Sequence, residues 1–400
     1  MAFETKVWGV MGALALVACG GGGGTPDGGG GADAGPTDGA IGDGGVVCPT
    51  VTTVIGNVQA SALQLAGAEL LFLDEGAGPM FYQGSTKHTR ALRKVRTDGT
   101  GDTVLHEAAA GFQVTDFVVA GATIYFLEAE RLMNGVEQSR VYSMPVAGGM
   151  PTLIGLHDDA RLAPVGDYAD AIVASDATSV YLVRNILSPA TMWRMAIAGG
   201  AEAIVHNGYI NSRPILIGSD LYFQSSQFPG MTNYKGIAKI PASATNGTLT
   251  QVGMAYCSGE FNAGPWGFAC AGAQQTMDQR KVSKFDPSGG NHVELFQPFP
   301  SGGGTTARIG PSDGTYLWVT GNQSTSSFKP IFRAPLAGGA ATVAACDRGK
   351  IRRRGDYNDG SSNDAFSVGL DMAVGASEIF WAETRKETSG DQTSIFKVAR

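Results

Sequence analysis

From about residue 46 onward, apolar and polar positions alternate with a period of two, in short runs broken by Gly, Asp, Ser or Pro. That period puts successive side chains on opposite faces of an extended strand, and no long stretch carries the 3.6-residue apolar period of a helix. RVYSMPVAGGMPTLI (Arg140–Ile154) reads as strand, tight turn, strand. TMWRMAIAGGAEAIV (Thr191–Val205) and PIFRAPLAGGAATVA (Pro330–Ala344) repeat the layout, each with a basic residue in the first run and Ala-Gly-Gly at the turn.

A second kind of hairpin alternates with the first. Its copies are QLAGAELLFL (Gln64–Leu73), FVVAGATIYFL (Phe117–Leu127), IVASDATSVYLV (Ile172–Val183) and ILIGSDLYF (Ile215–Phe223), followed by a degraded copy near FACAGA (Phe268–Ala273). IGPSDGTYLWV (Ile309–Val319) and MAVGASEIFWA (Met372–Ala382) complete the set. With Gly67, Gly121, Asp176, Gly218, Gly272, Asp313 and Gly375 as turn markers, the steps are 54, 55, 42, 54, 41 and 62 residues. Two hairpins per step make four strands in roughly 40–50 residues, the size of one propeller blade. The predicted fold is all-β, a single seven-bladed β-propeller over residues 46–400, with six or eight blades as the neighbouring counts.

In the fourth copy the second hairpin is GIAKIPASATNGTLTQV (Gly236–Val252), and in the fifth RKVSKFDPSGGNHVELF (Arg280–Phe296). The last copy stops at SIFKVAR (Ser394–Arg400), where a fourth strand should follow, while PTVTTVIG (Pro49–Gly56) is a fourth strand without a third. Pairing the two would close the ring and remove two exposed edges.

Residues 1–18 have the layout of a secretory signal: Lys6, then an apolar run from Val7 to Ala18 too short to span a bilayer as a helix. The run ends Leu16-Val17-Ala18-Cys19, which resembles the lipobox of bacterial lipoproteins. The resemblance implies cleavage before Cys19 and acylation there, hence a membrane-lipid partner; two or more acyl chains give stable anchoring. Gly20 after the cysteine, by analogy with enteric sorting, points to the outer membrane of a Gram-negative bacterium. Gly20–Gly45 holds 14 Gly in 26 residues with four Asp and no base. Residues 19–45 are thus read as lipidated cysteine plus disordered tether, with a root-mean-square span of roughly 28 Å.

Composition adds little. Net charge is −7, partly from that tether, and Lys350–Arg354 is a short basic run that reads as a solvated loop, so nothing suggests a nucleic-acid footprint. Cys48, Cys257, Cys270 and Cys346 remain after Cys19, an even number with three possible connectivities. Cys257 and Cys270 flank the fourth-to-fifth blade connection. Cys346 ends the fourth strand of blade six, and Cys48 begins the strand that would complete blade seven. The repeat map therefore predicts disulfides Cys257–Cys270 and Cys48–Cys346.

Within each blade the first-to-second and third-to-fourth turns are short and share one face. The other connections are long and share the opposite face, where any ligand is expected. Candidate ligand-binding residues there are Tyr82, Tyr234, Trp266, Tyr357, His88 and His157; Phe81, Tyr256 and Phe261 are further aromatics. Such residues also simply pack their own loops. His106, His206 and His292 fall in or beside fourth strands, at the rim. Asp356, Asn358, Asp359 and Asp364 are oxygen ligands of the type Ca2+ prefers, but Gly360 breaks the EF-hand spacing, so a polar loop is the competing reading. No cofactor other than Ca2+ is suggested; no H-E-x-x-H motif occurs, and the one G-x-S-x-G match, GPSDG (Gly310–Gly314), falls on a predicted hairpin turn and not on a strand-to-helix elbow.

SDATSVYLV followed by MWRMAIAGGAEAIV resembles the repeat of propeller lipoproteins of myxobacteria and other delta-group bacteria, roughly Val-Asp-x-Thr-x-Val-Tyr-Trp, then Val-x-Lys/Arg-Val-x-x-x-Gly-Gly. The resemblance runs from about Pro49 to Arg400 and is poor in blade five. It implies a fold and a location, since most such proteins have no assigned activity. The expectation is a monomeric, lipid-anchored propeller of the cell envelope with a non-catalytic binding or scaffold role toward protein or glycan. The alternatives are a polysaccharide lyase or glycoside hydrolase, and a purely structural envelope protein.

Overall fold

The computed structural model describes residues 48–58, 60–74, 91–109, 112–131, 137–159, 171–184, 190–228, 235–257, 261–272, 281–297, 306–322, 329–347, 350–351, 372–387 and 390–400. Cys19, Tyr82, His88, Tyr234, Tyr357, Asp356, Asn358, Asp359 and Asp364 lie outside them, as do the expected signal and tether.

Strand β1 (Thr52–Ile55) comes first. Blade one follows as β2 (Ala60–Ala66), β3 (Glu69–Asp74), β4 (Ala91–Arg96) and β5 (Thr103–Glu107). Blade two is β6 (Phe112–Ala120), β7 (Thr123–Arg131), β8 (Glu137–Pro145) and β9 (Thr152–Asp159). Blade three is β10 (Ala171–Ser175), β11 (Ser179–Arg184), β12 (Ala190–Ala196) and β13 (Ala203–Gly208). Blade four is β14 (Ile215–Ile217), β15 (Asp220–Ser225), β16 (Lys235–Pro241) and β17 (Thr250–Cys257). Blade five is β18 (Phe261–Gly264), β19 (Gly267–Ala271), β20 (Val282–Phe285) and β21 (Val293–Phe296). Blade six is β22 (Thr306–Ser312), β23 (Tyr316–Asn322), β24 (Lys329–Pro335) and β25 (Thr342–Asp347). Blade seven combines β26 (Lys350–Ile351), β27 (Met372–Val374), β28 (Glu378–Glu387) and β29 (Gly390–Ala399) with β1 as its outermost strand.

Every sheet is antiparallel, those of blades one to six being simple meanders, and the first strands touch in a closed circuit: β2, β6, β10, β14, β18, β22, β27 and back to β2. This is the seven-bladed propeller, with its ring closed by the N-terminal strand: Thr52, Thr53 and Ile55 of β1 pair with Lys397, Phe396 and Ile395 of β29.

The core is distributed over the seven blade interfaces. Leu71 and Leu73 of blade one pack with Phe117, Ile124 and Phe126 of blade two. Val205 of blade three packs with Leu221 and Phe223 of blade four, and Phe380 of blade seven with Leu70 and Phe72 of blade one. Phe72, Phe117, Phe126 and Phe223 are fully buried, each burial stabilising by about 2–3 kcal/mol.

One device recurs at the rim. In all seven blades the register between third and fourth strand shifts partway along. In blade two Val141 faces Gly155 and Tyr142 faces Leu153, leaving Ile154 as the extra residue; Val205, Leu295 and Val54 are its counterparts. All are apolar and buried, and each joins a cluster shared with the following blade. A bulge adds twist and ends flat pairing, so it also blunts the outer edge against aggregation.

The Ala-Gly-Gly turn belongs to the same joint. The amide of the first residue after the third strand donates to the first hairpin's turn, as Val146 does to Ala122 O and Leu336 to Thr315 O. Its carbonyl accepts from a basic residue of the preceding blade. Lys94 Nζ reaches Val146 O at 3.2 Å, Arg194 Nη1 reaches Ala242 O at 3.4 Å, and Lys284 Nζ reaches Leu336 O at 3.3 Å. Lys94, Arg194 and Lys284, in the third strands of blades one, three and five, are therefore braces between blades, whereas Arg140 and Arg333 lie over the Phe112 and Tyr316 rings of their own blades. In the Ser-Asp-Ala-Thr turn, Asp176 Oδ1 accepts from the amides of Thr178 and Ser179, and Tyr181 Oη donates to Oδ2 at 2.5 Å. Burial alone would raise the Asp176 carboxyl; these bonds outweigh it and hold it below its ordinary value.

Three sequence expectations need correction. In blade five the first turn is Pro265–Trp266, and Phe268–Ala271 is its second strand, so Gly272 marks a strand end and not the turn. His157 lies within β9, opposite Ser139, instead of in a loop. The connection Cys346–Asp371 is not wholly a loop: Lys350 and Ile351 pair with Thr384 and Glu383 on β28, in line with Met372 opposite Trp381. The first strand of blade seven is thus in two pieces, between which residues 352–371 are inserted.

Candidate functional site

The long connections leave from the starts of the first and third strands and the ends of the second and fourth. Polar burial follows the same polarity. Ser61, Glu128, Ser139, Thr191, Gln224, Ser225, Thr320, Glu383 and Thr393 are buried, and all lie toward that end of their blades. Ser179 is the buried polar residue at the opposite end. Burying polar groups is costly unless they are hydrogen-bonded, so their concentration marks the end where the sheets hold irregular chain.

The first strands, which line the axis, carry bulges of their own in blades one, two, three and six. Ala62 takes φ 57° inside β2, next to a register shift between Ser61 and Gln64. The Gln64 amide then spans to blade two, donating to Phe117 O at 2.7 Å and accepting from Val119 N at 2.9 Å. Asn262 of β18 likewise donates to Gly310 O of β22 at 2.7 Å. Asp116 sits at the β6 bulge and accepts from Arg213 Nη1 at 2.7 Å; Arg213 Nη2 donates to Ile172 O. One guanidinium from the approach to blade four therefore crosses blade three to a carboxylate of blade two. The two side chains are 12% and 7% exposed.

The connection from blade three to blade four is described throughout. Asn211 N donates to Gln224 O, Asn211 Oδ1 accepts from Ser226 N at 2.7 Å, and Ser212 Oγ accepts from Gln224 N at 2.8 Å. These bonds fix a short loop on which Tyr209 is 47% exposed. Lys235 stands at the head of β16 in the same end of blade four, without an acidic partner among the described residues, and burial lowers its ammonium below the ordinary lysine value. Tyr209 escaped sequence reasoning because nothing in YINSRP separates a loop aromatic from a strand one.

The aromatic candidates fare unevenly. Trp266 lies in the first turn of blade five, on the face opposite the long connections, and packs against the interface with blade six. Its candidacy on the long-loop face is overturned. Phe261 is buried at 3% exposure, and Tyr256 lies within β17, opposite Gly236.

Among the described histidines, His106 Nε2 is 2.5 Å from Glu128 Oε1, joining β5 of blade one to β7 of blade two. The Glu128 side chain is 3% exposed and that of His106 18%. One ring nitrogen of His106 is thus engaged by a nearly buried carboxylate, a pairing that orients the imidazole. His206 is buried, with Nδ1 3.2 Å from Gly247 O of blade four. No group of three or more His, Cys, Asp or Glu among the described residues is placed to hold a metal ion.

Two disulfides are formed. Cys257–Cys270 joins the last strand of blade four to the second strand of blade five, and Cys48–Cys346 joins the segment before β1 to the last strand of blade six. These are the pairs the repeat map implies, and they are what an oxidising, extracytoplasmic compartment permits. No helix among the described residues is long and apolar enough to cross a membrane.

Neither a known family profile nor a curated protein sequence matches the chain. Solved structures do. An oligogalacturonate lyase in complex with manganese is 12% identical, covers 89% of this chain and 93% of its own, and superposes with a TM-score of 0.55. The oligogalacturonate lyase of Vibrio parahaemolyticus is 13% identical over 89% of this chain and 94% of its own, with a TM-score of 0.55. The β-propeller domain of the Trilobed protease from Pyrococcus furiosus, described as having an open velcro topology, is 10% identical over 86% and 94%, with a TM-score of 0.51. At such identities the likeness is one of fold alone. By architecture the chain is a seven-bladed β-propeller whose ring, unlike an open one, is shut by β1 and Cys48–Cys346.

Proposed function

We propose that the protein is a lipid-anchored propeller of the cell envelope that binds a protein or glycan ligand through its long-loop face, without catalysis. The observation that carries this reading is the polarity of the blades. The short-turn end is used up in joints between blades, while the buried polar side chains, the Asp116–Arg213 strap and exposed Tyr209 gather toward the other end. An exposed tyrosine on a braced loop offers a flat apolar face at little entropic cost, suited to a sugar ring or a peptide. Leu16-Val17-Ala18-Cys19, the Gly/Asp tether and the resemblance to propeller lipoproteins support the location, as do the disulfides.

Binding is tested on a glycan array and a peptide-display library with the intact protein, Tyr209→Ala and, as a control on the opposite face, Met150→Ser. Loss of a ligand with Tyr209→Ala alone supports the reading; equal loss in both variants, or none, overturns it. Anchoring is tested by radiolabelled palmitate, which should enter the wild type and not Cys19→Ser. The rival reading, a polysaccharide lyase or glycoside hydrolase, has the His106–Glu128 dyad in its favour, but β5 is an outermost strand and does not line the axis. Turnover of a uronate polysaccharide that disappears in Glu128→Gln would replace the binding reading with the enzymatic one.

A further inference from the structure

The strand that shuts the ring is its slightest element. β1 has four residues, its first two exposed, and three register pairs with β29. Val54 and Val58 are its buried anchors, helped by a bond from Val58 N to Thr393 O at 3.0 Å. The first pair, Thr52 with Lys397, lies at the end where the preceding chain arrives and three residues from Arg400. A pull on the preceding chain would load these pairs one after another, beginning with that one. Hydrogen bonds broken in succession resist one at a time and not together, so a strand held this way peels.

Cys48 stands between that chain and β1, and its bond goes to another blade. Cys346 belongs to β25, which pairs with β24 at Lys329, Pro330, Ile331, Phe332 and Arg333. Tension arriving at Cys48 therefore has a covalent route into blade six, and residues 49–58 lie inside a closed loop that does not lengthen while the bond holds. Cys257–Cys270 has no such placement, since it joins residues only 13 apart in consecutive blades, far from the closing strand in sequence.

We propose that Cys48–Cys346 is the tension-bearing joint of the molecule, which lets the propeller be held by its N-terminal chain without its closing strand being stripped. The proposal rests on the tethered reading for its purpose, but the mechanical property belongs to the folded chain alone. It makes the anchoring redox-dependent: reduction leaves the ring folded but closed by β1 only.

The test is single-molecule pulling of the full chain between handles at its N terminus and at Arg400. The oxidised wild type, the same molecules reduced after folding, and Cys48→Ser with Cys346→Ser are compared. The reduced and doubly substituted chains should show a first step of roughly 40 Å, the length of residues 48–58 at about 3.5 Å each, at less than half the force of the oxidised chain's first event. A first event of the same force and length in oxidised and reduced molecules overturns the proposal. Reduction after folding keeps the test decisive if the double variant does not fold. Absence of a lipid on Cys19 would remove the anchor while leaving this measurement untouched.

Discussion

Lys397 Nζ lies 2.9 Å from the carbonyl oxygen of Thr97, 300 residues earlier in the chain. The bond crosses the seam of the ring, from the last blade to the first, and repeats there the brace that Lys94, Arg194 and Lys284 make between consecutive blades. Lys397 is held from behind by Glu378 at 2.9 Å. The seam is therefore built as an ordinary blade interface, with its last strand borrowed from the N terminus.

Replacing this lysine should cost more than its exposure suggests. Lys397→Met removes a charged donor from a carbonyl in a part-buried joint and should lower stability in urea by about 2 kcal/mol. Lys281, paired with Glu294 in an exposed bridge, should lose no more than about 0.5 kcal/mol on the same change. Equal losses would mean that the brace is ornamental.

Gly99 and Gly67 both have positive φ, at 88° and 63°, but only Gly99 is crowded. A Cβ there would lie 2.7 Å from Val54 O of the closing strand, whereas nothing lies within 4 Å of one at Gly67. Gly67→Ala should cost about 1 kcal/mol, the strain of the backbone. Gly99→Ala should cost at least twice as much and should open the seam first, visible as early hydrogen exchange in residues 52–55.

Non-reducing peptide mapping should recover Cys257–Cys270 and Cys48–Cys346 and no other pair. Replacing Cys257 and Cys270 by serine should destabilise by about 3 kcal/mol, the entropy of a short loop. A mixed pairing pattern would contradict the blade order at the fourth-to-fifth connection.

Acid should loosen the interface of blades three and four. Burial holds the His206 imidazole below its ordinary pKa, opposed by its bond to Gly247 O. The folded state thus resists a proton that the unfolded chain accepts near pH 6.5. Its contribution is complete above that pH and is lost as pH falls from about 6.5 toward the lowered folded value. His206→Asn should flatten the decline of thermal stability between pH 7 and 5; His292, also lowered by burial, should leave a residual slope. An unchanged profile in His206→Asn would remove His206 as the cause.

Blade five shows where reading from residues stops. FACAGA, an apolar run closing on a glycine, has the local chemistry of a first strand and its turn, yet Phe268–Ala271 is a second strand and the turn is Pro265–Trp266. Period-two alternation says that a segment is extended; it does not say which hairpin partner it is. The rim bulges are hidden for a related reason: one extra residue such as Ile154 or Val205 in an apolar run leaves no mark of its own.

The recurrence of hairpins at blade length was enough to show all-β repetition and the unpaired strands at the two ends, and to point to seven blades and to the cysteine pairs, which the structure then settled. These follow from local turn chemistry and from the need to pair every edge. Tertiary structure decided the purpose of the repeated residues. Lys94, Arg194, Lys284 and Lys397 proved to be joints between blades, because the carbonyl that follows a third strand of one blade meets a cation from another some fifty positions, or 300, away. It also decided which side chains gather near the axis. Gln64, Asp116 and Arg213 come from different blades, and only closure of the ring brings them together.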